Sequence, residues 1–332
     1  MAHEFEMKKG ILLFSPKDTA VHKMHLEAFE KYASESFRIF KGRNSLGIII
    51  DIYNLRSSAN NIFIQSTGIL NLIAILFARI FSYKVFYYLH EPTSLKRKIS
   101  ENPFVKAIVW HFVQIIDSSM SNFVLISREG LINKTTKNHY VRKKKIKIAP
   151  LLMPEESFST KKRKFRITYL GRPDDRRFIK DFIEHYDTFR SLKIKQTILT
   201  GNPHELNKLL PKIPSGVSVY AEKNFSEDLK SRILSETICL WNPKRGKISQ
   251  SGVTADAIRF GISILLTEKD PAYKELIDRG IAIDYKKSKN ENFTNLTVID
   301  FDKVEHASKL YFSSNHGQIS FNVKYSPIFN SI

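Results

Sequence analysis

The chain has 332 residues, which at roughly 150 residues per domain predicts about two domains. Apolar residues make up 42% and charged residues 26%, which excludes wholesale disorder and supports a core without covalent staples. Lys and Arg number 53 against 33 Asp and Glu, a formal charge of +20, and this excess points to nucleic acid, an acidic membrane surface or phosphorylated small molecules.

The single cysteine, Cys239, excludes an internal disulfide framework and a multi-cysteine metal site, and it fits a reducing compartment. No secretory signal is expected, and Ala2 to Glu6 (AHEFE) reads as an appended stretch ahead of a natural start at Met7. The longest apolar stretch, Gly68 to Phe81, carries Arg79 and falls short of the about 20 residues that span a bilayer. A buried helix is expected there. The protein is accordingly read as cytoplasmic, soluble or peripheral on the inner face of the cell membrane.

In chain order, the first half reads as strands at 11–14, 47–52, 62–65, 84–90, 122–127 and 146–149. Helices are expected at Ala20–Ala33, Gly68–Phe81, Asn102–Asp117 and Arg128–Asn138. Pro150 to Lys164, with two prolines, polar residues and a charge run, reads as a connection. The second half continues with strands at 166–170, 196–200, 217–220, 238–241 and 263–267. Between the first two, Phe178, Ile179, Phe182, Ile183, Tyr186 and Phe189 have the spacing of one buried helical face. Asn202 before Pro203, Ser226 and Asp270 before Pro271 mark helix starts, while Gly261 and Gly280 mark helix ends.

Short apolar runs alternating with helices predict an α/β protein with two parallel sheets in tandem. The expected division is 8–150, a linker at 151–164, 165–310, and a helical tail at 311–332 that packs back on the first domain. Ligands of such sheets bind at the carboxyl ends of the strands, and in a two-sheet protein those ends can face each other across a cleft.

Three segments carry candidate chemistry. After the strand at 238–241, Ser249-Gln250-Ser251-Gly252 runs directly into a helix, whose free N–H groups and dipole would suit a phosphate. Asp256, one turn further in, suits a ribose diol; the plainer readings are that Ser251 is a helix cap and Asp256 a solvated acid. Gly171-Arg172-Pro173-Asp174-Asp175-Arg176-Arg177 follows the strand at 166–170. Its guanidinium groups suit bidentate phosphate binding, or else salt bridges to Asp174 or Asp175. His90-Glu91-Pro92 follows the strand at 84–90, where functional groups collect and where a structural histidine is the alternative.

Taken together, YYLHEP, YLGRPDDRRFIKDF and SQSGVTADAIRFGISILL resemble, in order, landmarks of GT-B glycosyltransferases, especially retaining enzymes like those of glycosyltransferase family 4. LISREGLINKT followed by IKIAPLL adds to the resemblance, which spans about residues 8 to 310. It implies two Rossmann-like domains, with a nucleotide-sugar held mainly by the second and the acceptor mainly against the first. It further implies that Arg172 and one of Arg176 or Arg177 grip the diphosphate, aided by the turn at Ser251 and Gly252. Asp256 would stand where the family usually has a ribose-binding Glu. His90, with Glu91 beside it, would lie near the anomeric centre; Gly201 and Asn202 would lie near the nucleotide, and Tyr220 would border the base.

The chain also departs from the pattern. Ser15-Pro16-Lys17 replaces a Gly-Gly turn, an Arg…Arg pair stands for Arg…Lys, and Lys247-Ile248-Ser249 lacks the first Glu of a paired-glutamate motif. Asp300-Phe301-Asp302 spells a cation-binding DxD pattern, but Asp302 reads better as a helix cap. No metal or other cofactor is expected.

The charge runs Lys96–Lys98, Arg142–Lys147 and Lys161–Lys164 read either as solvated faces or as contacts with anionic lipid. Phe104, Val105, Ile108, Trp110, His111 and Phe112 suit an amphipathic helix at an interface, with core packing as the use of about half of them. The expected function is transfer of a sugar from a nucleotide-sugar to a glycan or lipid-linked glycan acceptor in bacterial surface-polysaccharide synthesis. The alternatives are a nucleotide-sugar epimerase of the same fold, with Glu91 as its acid/base candidate, and a basic nucleic-acid-binding protein. The last is disfavoured by the absence of a nucleic-acid-binding motif.

Overall fold

The computed structural model describes residues 9–16, 20–65, 68–90, 92, 94–101, 103–127, 129–154, 163–174, 178–223, 225–244, 252–270 and 272–330. Contacts divide the chain into two units, Met1–Pro154 with Ser313–Ile332, and Glu155–Phe312.

The first unit is built on a parallel sheet of β1 (Gly10–Phe14), β2 (Arg38–Lys41), β3 (Asn61–Gln65), β4 (Lys84–Tyr88), β5 (Phe123–Ile126) and β6 (Ile146–Ile148). Its order is β2-β1-β3-β4-β5-β6. The helices are α1 (Ala20–Ala33), α2 (Ile48–Leu55), α3 (Ile69–Ile80), α4 (Leu95–Glu101), α5 (Phe104–Met120) and α6 (Ile132–His139). Period-two alternation splits the strand residues between two cores. Leu12, Phe14, Ile62, Ile64, Val85, Tyr87, Val124 and Ile126 meet α2 and α3 on one face. Ile11, Leu13, Phe63, Phe86, Tyr88 and Leu125 lie on the other.

The second unit contains β7 (Arg166–Leu170), β8 (Lys195–Thr200), β9 (Ser218–Ala221), β10 (Cys239–Trp241), β11 (Ser263–Leu266) and β12 (Ala282–Asp284). All are parallel, in the order β12-β11-β10-β7-β8-β9. Its helices are α7 (Ile179–Glu184), α8 (Tyr186–Ser191), α9 (Pro203–Asn207), α10 (Glu227–Ser235), α11 (Gly252–Phe260), α12 (Tyr273–Asp278), α13 (Tyr285–Asn290) and α14 (Phe301–Asn315), the last ending in the first unit. Ser226 caps α10, its Oγ accepting from the Leu229 N–H at 3.1 Å. Gly261 and Gly280 take the left-handed φ of 62° and 72° that ends a helix.

The tail, α15 (Gln318–Ser320), a π turn at Phe321–Tyr325 and α16 (Ser326–Asn330), belongs to the first unit. Phe321, Tyr325 and Phe329 are fully buried beside Phe29 of α1 in the second of its two cores. The Tyr325 hydroxyl donates to the Pro150 carbonyl at 2.5 Å and lies 3.1 Å from His25 Nε2. Pro150 to Met153, within the stretch read as a connection, are buried, and the Met153 N–H donates to the His316 carbonyl at 3.1 Å. All three hydrogen bonds lie within the first unit.

Several elements differ from the sequence reading. Residues 47–52, expected as a strand, belong largely to α2. Ile48 and Ile52, one turn apart, are both buried, while Asp51 is gripped by Arg43, whose Nη2 donates to Oδ1 at 2.8 Å. The real second strand, Arg38–Lys41, is a half-exposed edge with no apolar run to mark it. Strand β12 and helix α4 lie where neither was expected. The helix expected after Phe178 is broken at His185 into α7 and α8. Asp300, not Asp302, caps α14, accepting from the Lys303 N–H at 3.0 Å.

Two charge runs are not simply solvated. Lys98 is buried against Gln114. Arg163 donates to the Phe260 and Gly261 carbonyls at 2.6 and 3.1 Å, neutralising the negative end of α11.

Candidate functional site

In an open parallel sheet the functional crevice opens where strand order reverses, at the carboxyl ends. In the second unit that point lies between β7 and β10, where β8 and β9 run off to one side and β11 and β12 to the other. Register pairs Tyr169 with Trp241 and Leu170 with Leu199. Residues just past 170, 200 and 241 therefore share one edge.

Beyond β7, Gly171 has φ of 110°, a conformation that L side chains rarely adopt. This lets the chain leave the sheet sharply, with the Gly171 N–H still donating to Leu199 O at 3.0 Å. Arg172 follows, its carbonyl accepting from the Tyr169 hydroxyl at 2.6 Å. Its side chain is 53% exposed. The guanidinium is held in a fork by Glu205 of α9: Nε donates to Oε2 at 2.7 Å, and Nη2 meets Oε1. The hydrogen bond and charge of Glu205 raise the Arg172 pKa further, so the group stays cationic. Asp174, the salt-bridge candidate in the sequence, contributes only a weaker electrostatic effect.

Beyond β8, Gly201 and Asn202 form the turn into α9, and the Asn202 N–H donates to Thr200 Oγ1 at 3.0 Å. A Cβ on Gly201 would lie 3.5 Å from the Lys223 carbonyl, an ordinary contact, so packing does not demand glycine there. Tyr220, half-buried on β9, sits opposite Leu199.

Beyond β10, Asn242 is buried and its Nδ2 donates to Thr254 Oγ1 on α11 at 3.2 Å. This bond ties the strand exit to the first turn of the helix. Lys244 is buried 3.9 Å from Asp270, and its carbonyl accepts from Thr267 Oγ1 at 2.9 Å. Helix α11 begins at Gly252.

Asp256 is buried on α11 and not a solvated acid; it pairs with Lys230 Nζ at 2.7 Å. Burial raises its carboxyl pKa, and the Lys230 charge and hydrogen bond oppose that shift. Its carboxylate is thus engaged by α10. Glu91, Arg176, Arg177, Asp175 and Ser251 lie outside the described residues.

His90 belongs to the first unit, just past β4. Its ring lies 4.7 Å from Tyr88 and 6.0 Å from His25, in an aromatic cluster with Tyr325.

The second unit therefore brings Arg172, Gly201, Asn202 and the start of α11 to one sheet edge. Sequence reasoning missed Glu205, Asn242, Lys244 and Lys230. An acid in the first turn after Asn202-Pro203 was a visible signal for Glu205, but nothing local pairs Lys230 with Asp256.

No protein-family model matches the chain, and no curated protein matches it by sequence. Solved structures do resemble it. HepE of Anabaena, solved with UDP and glucose, superposes with a TM-score of 0.69 at 11% identity, covering 98% of this chain and 100% of that one. WaaG, a glycosyltransferase involved in lipopolysaccharide biosynthesis, gives 0.64 at 10% identity, over 96% of this chain and 100% of the other. The UDP-GlcNAc 2-epimerase of Methanocaldococcus jannaschii gives 0.53 at 12% identity, over 92% and 98%. With two six-stranded parallel sheets in tandem, the chain has the GT-B fold of two Rossmann-like units.

Proposed function

We propose that the protein is a glycosyltransferase that moves a sugar from a nucleoside-diphosphate sugar to a glycan or lipid-linked glycan acceptor in cell-surface polysaccharide synthesis. One observation carries the reading: the strand-order reversal of the second unit puts an exposed guanidinium, held in a fork by Glu205, on the same edge as the amino end of α11.

Cleaving the bond at the anomeric carbon leaves negative charge on the departing diphosphate. A preorganised Arg172 and the amino end of α11, with its helix dipole, would stabilise that charge more in the transition state than in the ground state. With retention, the departing phosphate itself takes the proton of the incoming hydroxyl, so no protein nucleophile is required. No metal is needed for this scheme, because the cation and the helix terminus supply the neutralising charge. UDP in the HepE structure supports a uridine nucleotide as the first donor to try.

The test is a thermal-shift screen of nucleoside diphosphates and their sugars, since a ligand that binds only the native state raises apparent stability. UDP or GDP should raise the melting temperature, and Arg172→Ala should abolish the rise. No shift with any nucleotide would end the proposal. Incubating the donor without acceptor separates transfer from epimerisation, the reaction named for one neighbour. Isomerisation of the sugar would favour the epimerase.

A further inference from the structure

Helix α5 is inside out. Its buried side carries Ala107, His111, Gln114, Asp117 and Ser118. Its exposed side carries Val105 (72% exposed), Val109, Phe112 (56%) and Ile116. A helix on a water-facing protein surface turns its apolar stripe inward; this one turns it outward. Helix α3 packs beside α5 and exposes apolar residues of its own, Leu76 and Ile80. An outward apolar stripe on one helix, with further exposed apolar side chains on the helix packed beside it, marks an interaction site.

The charge around the stripe identifies the occupant. Helix α3 has no acidic residue, and the one acid of α5, Asp117, is buried. Lys106 is exposed in the first turn of α5. At the other end, Lys145 Nζ donates to the Ser119 and Ser121 carbonyls at 3.0 and 3.1 Å. Arg79, Arg142 and Lys144 stand close enough that, after burial, their charges lower the Lys145 pKa. Such mutually repelling cations beside an apolar stripe suit a surface that is both apolar and anionic. Two copies of this face would instead bring like charges together.

We propose that the α3–α5 face of the first unit docks on an anionic lipid bilayer, with α5 lying in the interface plane. No helix among the described residues is long and apolar enough to cross a membrane, so this is attachment and not insertion. The inference rests on the proposed function for its purpose, presenting the enzyme to a lipid-linked acceptor. Docking itself is measured without donor or acceptor, so failure of either reading leaves the other standing.

The full chain is floated with vesicles of phosphatidylcholine alone or mixed with phosphatidylglycerol. The mixed vesicles should carry the protein up the gradient and the neutral ones should carry far less. Val109→Glu with Phe112→Glu, both exposed and so compatible with folding, should cut the bound fraction at least tenfold with an unchanged melting temperature. Arg142→Gln with Lys144→Gln should weaken binding to mixed vesicles by about 30-fold, at about 1 kcal/mol per basic residue, and leave binding to neutral vesicles unchanged. The proposal is overturned if the double glutamate variant floats like the wild type, or if both vesicle types bind equally. It is also overturned if sedimentation shows a wild-type dimer that Phe112→Glu dissociates, which would make the occupant a second copy.

Discussion

Replacing Lys230 with methionine would leave the Asp256 carboxylate buried on α11 without the ammonium that lies 2.7 Å away. Both side chains are about nine-tenths buried, at 10% and 11% exposure, so solvent does little to replace the lost partner. Breaking a buried pair from one side costs about 3–5 kcal/mol. At an m-value of about 2 kcal/mol/M, this moves the urea midpoint down by about 1.5–2.5 M.

Fluorescence gives a local reading. The chain has two tryptophans, and Trp241 is buried in the core of the second unit, so a Trp110→Phe background leaves one reporter in the right place. The sign with pH is also fixed. Burial raises the Asp256 pKa, and losing Lys230 raises it further. The variant's deficit is therefore fully present above that raised value. It shrinks as the pH falls and vanishes below the ordinary carboxylate range of about 4. The double variant Lys230→Met with Asp256→Leu should recover most of the loss. A midpoint shift below about 0.3 M, or an equal deficit in acid and at neutrality, would refute the reasoning.

Arg172→Ala should lower turnover at least tenfold, read by chromatography of the released nucleotide, while costing at most about 1 kcal/mol of stability because the Glu205 pair is exposed; unchanged turnover would remove Arg172 from the site. Phe329→Ala should cost about 3–5 kcal/mol in chemical denaturation, as the ring is fully buried among Phe37, Phe63 and Phe86. Burial, with the charges of Lys98 and His111, pulls the His139 pKa down to about 3. Its contribution is present above the ordinary value of about 6.5 and is lost as the pH falls toward 3, so His139→Leu should flatten the acid limb of a stability–pH curve. Burial likewise lowers the Lys98 pKa to about 8. That contribution is present above about 10.4 and disappears as the pH falls through 8, so Lys98→Met should flatten the alkaline limb and be the more stable form at neutrality.

Most strands were legible because parallel strands buried on both faces are written as continuous apolar runs, such as KVFYY and RITYL. The same rule misled at 47–52, where three consecutive isoleucines imitate a strand and only the i, i+4 burial of Ile48 and Ile52 reveals a helix. Strand Arg38–Lys41 was illegible for the opposite reason: it is an edge with its charged ends in solvent.

At the site, the strand-end turns could be located because glycine and proline punctuate them. The partners could not. Glu205 reaches Arg172 across 33 positions, and Lys230 reaches Asp256 from a separate helix; such pairs are set by tertiary packing and leave no local pattern. Likewise, the sequence offered α5 both an interfacial and a core use, and only burial shows which side is wet: Phe104, Val105 and Phe112 are exposed and His111 is buried.

Phe321, Tyr325 and Phe329 also bear on biogenesis. They close an aromatic core whose strands lie in the first part of the chain, yet they are made after the whole of the second unit. Domains ordinarily complete themselves in N-to-C order during translation. Here the later-encoded unit has its whole complement of residues before the earlier one does. A chain truncated after Phe312 and released should therefore resist protease in the second unit while remaining cleavable in the first. Equal protection of both would show that the first unit folds without its terminal clasp.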